Sequence, residues 1–374
     1  IGDIFTNKAL ANTMRRIANE GADVFYKGDI AQEIVAAFQR DGGFITLEDL
    51  ASVPERVQWT EPISIQYKGY TVYNNPPPGM GIQQLQTLKI MEGLDLRKMG
   101  HNSMEYLAHL FEAMHLARID SDKYIGDPAY VDVPVEKLLS EDYITTMREK
   151  VTARVKERLT RKKRQSAIER PSSATDEQRL RYATTSLSVV DQWGNGVVIT
   201  QTLGGGFGSG YVAGKTGVAF NNAMEWMTLD PNAANGAVPG KGITWSIGGM
   251  MQFHKNGKPH LIVGSPGSLG ILQSVPQVAL NVIDFGMNIQ DAISAPRFRW
   301  KDEVGQVPAK EIILETRIPK ETIEGLRSMG YRLDTSLGDW TMTVGGVQGI
   351  TINYETGWIS GGADPRRNGY AMGW

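Results

Sequence analysis

The chain has 374 residues, of which 41% are hydrophobic and 21% charged, and its formal net charge is −2 at pH 7. This composition is typical of a globular protein with one large core or two ordinary domains, and the small net charge gives no general reason to expect a nucleic-acid partner. The lack of cysteine excludes disulfides, thiolate nucleophiles and cysteine metal sites.

No apolar run approaches the roughly 18 residues that a membrane helix needs, so the sequence predicts no membrane span. It opens on Ile1 with no leader in view, and we expect a fragment or a processed product of a longer chain. Residues 150–170 are dense in Lys and Arg. We expect a solvated helix followed by an exposed loop there, with nucleic-acid or membrane contact as the alternative.

Helical periodicity dominates the first half of the chain, around one strand-rich interval. Asn7 is predicted to cap a first helix that ends at Gly21. Lys68-Gly69 is predicted to form the turn of a β-hairpin. Further helices of this half are predicted at DIAQEIVAAFQR, TLEDLA, QQLQTLKIMEG and SMEYLAHLFEAMHLARID.

Strand patterns become frequent after the basic segment. TSLSVVDQWGNGVVITQT alternates on both sides of a turn at residues 193–196 and predicts a hairpin. More strands are predicted at GVAF, GGMMQFH, HLIVG, GITIN and GWISGG, and helices at SVPQVALNVIDFG and KETIEGLRSMG. This order predicts one compact α+β unit.

A glycine-rich stretch, residues 204–217, carries Gly-Lys-Thr near its end and invites a nucleotide-binding interpretation. A Walker loop needs four residues between its first glycine and Gly-Lys-Thr, and counting back from Gly214 that place is held by Ser209. A helix should then follow, whereas Gly217 and a strand-like run come next. No βαβ unit supports a dinucleotide site either. We therefore interpret the glycines as backbone that passes close to another group.

The spacing of the histidines along the sequence matches no metal-binding motif such as H-E-x-x-H. Glu112 and His115 share a helix face, but a di-metal site would need a second such pair. No metal and no cofactor are therefore expected. No G-x-S-x-G motif occurs, so a serine nucleophile of the α/β-hydrolase kind is not expected.

Thr184, in ATTSLSVVD, is the candidate nucleophile. A threonine hydroxyl needs a neighbouring base, which the α-amine of a chain beginning at that threonine can supply. The reference pKa of such an amine, about 7.7–8.0, leaves it partly neutral at physiological pH. Thr184 follows a long polar segment, residues 161–181, and precedes a strand pattern. The alternative is ordinary β propensity of a Thr-Thr pair, and spacing alone leaves both open.

Ordered blocks across essentially all 374 residues resemble the γ-glutamyltransferase family of N-terminal-nucleophile hydrolases. Blocks similar to the family's large subunit are IANEGADVFYKGDIAQEIV, GGFITLEDLA, YKGYTVYNNPPPGMG, EAMHLARIDSDKYIGDP and VPVEKLLS. Blocks similar to its small subunit are TTSLSVVDQWGNGV, FGSG, GVAFNN, GSPGS, APRFRW and ADPRRNG.

The resemblance implies a four-layer αββα sandwich and self-cleavage between Ala183 and Thr184. Residues 1–183 would be the C-terminal part of the large subunit, without the N-terminal part of the family fold, and residues 184–374 the small catalytic subunit. Such a protein is made as a zymogen that cleaves itself.

The resemblance also assigns catalytic roles by matching motifs. Thr184 would be the nucleophile, both for processing and for an acyl-enzyme. Thr202 would hydrogen-bond and orient Thr184. The backbone N–H groups of Gly267 and Ser268 would hold the oxyanion, which needs unobstructed donors aimed at the developing charge.

The substrate-binding positions depart from the family pattern. Gly204 stands where the family has an asparagine, and Glu225 and Trp226, three and four residues after Asn222, stand in a segment that binds the γ-glutamyl amino group. Ser246 is followed by isoleucine instead of a second serine. The family's clamp arginine belongs to an N-terminal region that this chain lacks. Shifted acyl specificity, a more apolar or differently shaped acyl pocket and poor glutathione binding are therefore expected.

Four hypotheses follow for function. The first is an autoprocessed threonine amidohydrolase or acyltransferase that passes an acyl group to water or an amine. The second is genuine γ-glutamyl transfer or glutathione hydrolysis, with Glu225 in the clamp. The third is a non-catalytic relic that binds a ligand, and the fourth is the disfavoured nucleotide binder. The resemblance implies a small-molecule amide substrate, no nucleic-acid partner, and a periplasmic or extracellular location.

Overall fold

The structure, a computed structural model, describes residues 3–57, 59–160, 184–301 and 309–374. The chain divides into two compact units, one of residues 1–61 with 203–223 and one of residues 62–202 with 224–374. The prediction of a single compact unit is therefore wrong, although the α+β mixture of helices and sheets is as predicted. Ala183 lies outside the described residues, so cleavage before Thr184 stays a prediction.

The smaller unit contains four short α-helices within its described residues: α1 (Lys8–Glu20), α2 (Asp23–Tyr26), α3 (Asp29–Arg40) and α4 (Leu47–Ser52). The Asn7 side chain accepts a hydrogen bond from Leu10 N, and Gly21 follows the last residue of α1. These observations confirm the predicted cap and the predicted end. α4 begins with a capping box between Thr46 and Asp49, which satisfies two helix-end N–H groups.

Residues 203–223 complete the smaller unit. Phe38 of α3 packs edge-on against Tyr211 and Phe220, at centroid distances of 4.7 and 4.8 Å. The strand predicted at GVAF is absent, because Val212 and Ala219 form only an isolated bridge there. Ser209 N instead bonds to Phe220 O across the loop, so the apolar run packs as part of a turn.

The strands of the larger unit form a six-stranded sheet, a hairpin and a three-stranded sheet. In chain order they are β1 (Ile63–Tyr67), β2 (Tyr70–Asn74), β3 (Thr185–Val190), β4 (Gly196–Gln201), β5 (Met250–His254), β6 (Pro259–Gly264), β7 (Phe298–Trp300), β8 (Ile312–Leu314), β9 (Leu333–Asp334), β10 (Gln348–Asn353) and β11 (Trp358–Ala363). The large sheet is antiparallel in the order β1-β2-β5-β6-β10-β11. Both predicted hairpins, β1–β2 and β3–β4, are confirmed.

Helices cover one face of this sheet. They are α5 (Gly81–Glu92), α6 (Leu96–Met99), α7 (Met104–Tyr124), α8 (Val135–Leu139), α9 (Glu141–Thr160), α10 (Ile271–Ile283), α11 (Ile289–Ser294) and α12 (Lys320–Ser328). Leu261 and Val263 of β6 belong to the main apolar core together with α5, α7 and α10. The predicted helix in the basic segment is confirmed through Thr160, and the loop predicted after it lies outside the described residues.

The β3–β4 hairpin lies on the opposite face of β6. A Cβ on Gly264 would contact Ser186 and Val198, whereas the neighbouring Val263 points into the helical core. Successive residues of a strand face opposite sides of its sheet. Helices, large sheet and hairpin therefore form three successive layers.

Four charged side chains form a buried network at the end of β11. Arg297, Glu315, Asp364 and Arg366 are each at most 5% exposed. Arg297 pairs with Asp364, while Arg366 bonds to Glu315 at 2.6 Å and to Asp364 at 3.1 Å. Burial raises the pKa of the Asp364 carboxyl, but the two guanidinium groups outweigh it and hold the pKa below its usual range. Two positive and two negative charges thus compensate one another away from water.

Asp364→Asn should lower the free energy of unfolding by about 3–5 kcal/mol, because it leaves Arg297 buried without its carboxylate. Since folding lowers the pKa of Asp364, its contribution is complete above the ordinary value of about 3.9 and disappears as pH falls through the folded value. Urea unfolding at pH 7 and at pH 3 measures both effects. The exposed ion pair of Asp23 with Lys27 supplies the control, and equal losses for Asp23→Asn and Asp364→Asn would contradict the prediction.

Candidate active site

Thr184 and Thr202 meet at the open end of the β3–β4 hairpin. The last rung of the ladder pairs Thr185 with Gln201, so continuing the register by one residue places Thr184 opposite Thr202. The Thr184 Oγ1–H donates to Thr202 Oγ1 at 3.1 Å, and Thr184 is 8% exposed. A hydroxyl held in this way has a fixed direction, as an activated nucleophile requires.

The turn of Gly267 and Ser268 follows β6 and leads through a short 3₁₀ helix, Ser268–Gly270, into α10. Both residues have positive φ, 136° at Gly267 and 55° at Ser268. In the described part of the chain, neither backbone N–H of this pair donates a hydrogen bond to a protein acceptor. Two adjacent unpaired N–H groups beside a helix N-terminus form a site that favours negative charge.

Arg299 fixes the orientation of this turn. Its Nη1 donates to Gly267 O at 3.4 Å and to Thr343 O at 3.1 Å, and the residue is 4% exposed. The C=O of Gly267 and the N–H of Ser268 belong to one planar peptide group and point in opposite directions. A contact that holds the carbonyl oxygen therefore also sets the direction of the N–H.

The loop of residues 344–346 packs directly against the Gly267–Ser268 turn. Gly346 N donates to Pro266 O and to Ser265 Oγ, each at 3.2 Å. Arg297, from the buried charge network, donates to Val344 O and Gly345 O, each at 3.4 Å. The buried charge network is thus connected to the Gly267–Ser268 turn by the loop of residues 344–346.

Three of the predicted site residues, Trp226, Ser246 and Ser268, line one cavity of about 240 Å³ in the larger unit. Residues 226–246 form one wall, which is held together where Asn235 bonds to Trp226 O at 2.6 Å and to Thr244 N at 3.1 Å. The full lining is Met80, Arg118, Ser121, Asp122, Ile125, Trp226, Thr228, Ala233, Asn235, Thr244, Ser246, Ser268 and Leu269.

This lining is more polar than the sequence led us to expect. Ile247 packs against the main core, whereas Arg118 and Asp122 contribute charged groups to the cavity. Sequence reasoning missed Arg118, although a signal existed. Leu107, Phe111 and Met114 trace the buried stripe of α7, and arginine stands at the next position of that stripe.

Glu225, expected near the acyl group, is exposed and lies outside the lining of the cavity. Gly204 and Asn222 belong to the smaller unit. Gly204 has φ of 91°, and a Cβ there would overlap the Asn222 side chain, whose Oδ1 accepts from Gly205 N at 2.7 Å. Local backbone geometry therefore demands glycine at position 204. Substrate-binding roles for these three residues stay predictions.

The glycine-rich stretch has a protein carboxylate where a nucleotide loop would hold a phosphate. Lys215 N donates to Glu33 Oε1 at 2.5 Å, and a Cβ on Gly214 would lie 2.7 Å from the same oxygen. Gly217, with φ of 70°, follows directly instead of a helix. This geometry disfavours the nucleotide hypothesis further.

Among the described residues, no group of three or more histidines or carboxylates is arranged to hold a metal ion. No helix within the described ranges is long and apolar enough to cross a membrane. His115 lines a separate cavity of about 440 Å³ together with the buried Glu112, Arg154 and Arg158. Burial lowers the pKa of His115, and Glu112 is bound by both arginines at 2.8 and 3.3 Å.

The chain belongs to the gamma-glutamyltranspeptidase family, because the sequence profile of that family, described as "Gamma-glutamyltranspeptidase", matches residues 1–374. The "Glutathione hydrolase-like YwrD proenzyme" of Bacillus subtilis is 33% identical over 100% of this chain and 66% of its own length. The "Glutathione hydrolase proenzyme" of Escherichia coli is 34% identical over 98% of this chain and 61% of its own length.

A crystal structure of cephalosporin acylase from Bacillus halodurans is also similar, with a TM-score of 0.84 and 33% identity. The match covers 100% of this chain and 64% of that protein. The chain thus spans between three fifths and two thirds of the length of these relatives.

Gly267→Ala should destabilise the larger unit by about 1–3 kcal/mol or more, because it adds a strained backbone conformation to a close approach of 3.0 Å between the new Cβ and Gly345 Cα. Gly257, which also has positive φ but no atom within 4 Å of a Cβ, provides the matched control. Thermal unfolding of both alanine variants measures the difference. Equal shifts in Tm would show that the contact with Gly345 does not matter.

Proposed function

We propose that this chain carries the catalytic centre of an autoprocessed threonine amidohydrolase or acyltransferase. The observation that carries the proposal is the hydrogen bond from Thr184 Oγ1 to Thr202 Oγ1 at the end of the hairpin. Membership of a family whose relatives are named as proenzymes supports it.

In the proposed mechanism, cleavage before Thr184 frees an α-amine that serves as the base. The amine takes the proton of the Thr184 hydroxyl as its oxygen attacks an amide carbonyl. The N–H groups of Gly267 and Ser268 hold the resulting oxyanion. When the tetrahedral intermediate collapses, the C–N bond breaks and the protonated amine returns its proton to the leaving nitrogen.

The acyl group then remains on Thr184 as an ester. Water or a second amine attacks that ester and passes its proton to the α-amine. As the ester C–O bond breaks, the protonated α-amine gives that proton to the Thr184 oxygen, which releases the product and regenerates the hydroxyl. Thr202 orients the Thr184 hydroxyl for the first attack and accepts its hydrogen bond again once the hydroxyl is regenerated. Loss of one oxyanion donor typically costs on the order of 100-fold or more in rate, so the shape of the Gly267–Ser268 turn contributes strongly to the rate.

The proposal includes the four-layer αββα sandwich and two subunits from one precursor. The outer face of the β3–β4 hairpin carries Leu187, Val189, Val197 and Ile199, each between 41% and 50% exposed. A row of apolar side chains on one face of a sheet usually packs against another layer. A fourth layer over this face is therefore the architecture that these residues favour.

Two kinds of acyl donor fit the family. Similar proteins are named both as glutathione hydrolases and as acylases. We favour acyl amides other than glutathione, since Glu225 lies outside the cavity that Ser268 lines. Rates with a γ-glutamyl anilide and with simple acyl anilides distinguish the two. A periplasmic or extracellular location is part of the proposal and rests on the family resemblance.

Thr184→Ala should leave the full-length protein as one chain and abolish turnover, because it removes the attacking oxygen. Thr184→Ser should still cleave, since it keeps the hydroxyl. Intact-mass spectrometry after incubation at pH 8 measures the outcome, with the exposed neighbour Thr185→Ala as the control. A folded wild-type protein that stays uncut between residues 183 and 184 would refute the proposal.

Thr202→Val should slow both self-cleavage and turnover by about fivefold while the fold is kept. Valine has the shape of threonine but cannot accept the hydrogen bond from Thr184, and such a bond contributes roughly 1 kcal/mol. Single-turnover cleavage rates measure the effect. Thr202→Ser should retain most of the rate, and a Val variant as fast as wild type would exclude a positioning role.

A further inference from the structure

The cavity of about 440 Å³ in the larger unit lies apart from the candidate active site. It is formed where α7, α9 and β7 meet residues 309–310 and 330–332. None of its described lining residues belongs to the cavity that Ser268 lines. Its volume falls within the roughly 300–1,000 Å³ that is usual for small-molecule sites. The cavity is therefore large enough for a ligand of its own.

A buried carboxylate holds the wall of this cavity together. Glu112 of α7 is 1% exposed. It accepts hydrogen bonds from Arg158 Nε at 2.8 Å, from Arg154 Nη1 at 3.3 Å and from the Tyr331 hydroxyl at 2.9 Å. A carboxylate in the interior needs such partners. Glu112 thereby fixes one edge of each guanidinium group.

Both arginines keep donors for a further acceptor. A guanidinium carries five N–H donors, and Glu112 is the one hydrogen-bond acceptor that Arg154 and Arg158 have among the described residues. The Arg158 guanidinium also lies over the Tyr331 ring, 4.1 Å from its centroid. These contacts fix the plane of Arg158 before any ligand arrives. Its remaining donors are therefore preorganised.

Positive charge is in excess around the cavity. The described lining carries four positively and two negatively charged side chains, which are Arg154, Arg158, Lys310, Arg332, Glu112 and Glu157. The side chains of Lys310 and Arg332 have no ion pair and no hydrogen bond in the part of the chain that the structure describes. Arg154 and Arg158 are four residues apart on one helix, where like charges repel. An anion with two negative charges would balance this excess.

His115 adds a neutral polar group to the same wall. Burial lowers the pKa of its imidazole, so the ring carries no charge at neutral pH. It lies against Trp300 at a centroid distance of 4.9 Å and makes no hydrogen bond to a described residue. One ring N–H is therefore available to a ligand, and the rings of Trp300 and Tyr331 give the cavity an apolar part.

We propose that this cavity binds the phosphate group of a small phosphate ester. Such a group carries about −1.5 to −2 charges at pH 7 and three strong acceptor oxygens, which matches the charge excess and the open guanidinium donors. Arginine forks suit phosphate oxygens in particular. The organic part of the ester would lie beside Trp300 and Tyr331. The inference is independent of the proposed function, because neither Thr184 nor Ser268 lines this cavity.

Calorimetric titration of the full-length protein with phenyl phosphate at pH 8 and low salt tests the site. Phenyl phosphate should bind with one equivalent per chain. Benzoate, which has the same ring but a single negative charge, should bind at least tenfold more weakly. Added sodium chloride should weaken the binding of phenyl phosphate, because salt screens partly exposed charges.

Two variants locate the bound phosphate. Arg154→Gln and Arg332→Gln should each weaken phenyl phosphate binding at least fivefold, and the double variant should weaken it more than either. Arg332 is exposed and its side chain holds no described residue in place, so Arg332→Gln should keep the Tm of the unliganded protein. Lys255→Gln removes an equally exposed charge from the turn between β5 and β6 and should leave the affinity unchanged.

Three results would overturn the inference. The first is a wild-type protein that does not bind phenyl phosphate. The second is benzoate binding as tight as that of phenyl phosphate, which would remove the case for a dianion. The third is equal affinity of the wild type and the double variant Arg154→Gln/Arg332→Gln, because the phosphate would then lie elsewhere.

Discussion

Mutual compensation of four buried charges is the constraint on which the site depends. Arg297, Glu315, Asp364 and Arg366 lie in an interior where none of them could be accommodated alone. Once paired, Arg297 has donors left for the carbonyls of Val344 and Gly345, and Asp364 accepts from Val347 N. The loop between these residues packs on the Gly267–Ser268 turn. A strained turn with two positive φ angles persists because a rigid structure surrounds it.

Local signals in the sequence predicted much of the fold. The Asn7 cap, the Gly21 end and both hairpins depend on neighbours within a few residues, so pattern alone was sufficient. The division into two units could not be predicted in this way. Residues 203–223 pack with α3 through the contact of Phe38 with Tyr211 and Phe220, and such a long-range contact leaves no periodic trace. Residue propensity alone predicts a strand for the short apolar run at GVAF, because propensity does not include the turn that encloses this run.

The pairing of the two threonines in the candidate site could be predicted from the sequence, whereas the lining of the cavity could not. Hairpin register brings Thr184 to Thr202, and an alternating pattern fixes such a register. Their chemical role is implied by the family resemblance, since two threonines at the two ends of a β-hairpin carry no catalytic signal of their own. Trp226 and the isoleucine after Ser246, considered without their surroundings, predict a more apolar or differently shaped pocket for the cavity that Ser268 lines. Arg118 contributes to the cavity from α7, more than a hundred residues before Trp226 and Ser268 in the chain. Its apolar neighbours on the buried face of α7 made it look like part of the core pattern.

The β3–β4 hairpin is a two-stranded ribbon, and this affects how firmly the Thr184 hydroxyl is held in position. Thr184 stands one residue beyond the last rung of that ribbon, so after cleavage it would be a free chain end. Chain ends fray on fast timescales unless they are tied down. The burial of Thr184 and its side-chain hydrogen bond to Thr202 then hold this chain end in place. The fraction of time that the hydroxyl spends in an attacking position depends on how often that hydrogen bond breaks.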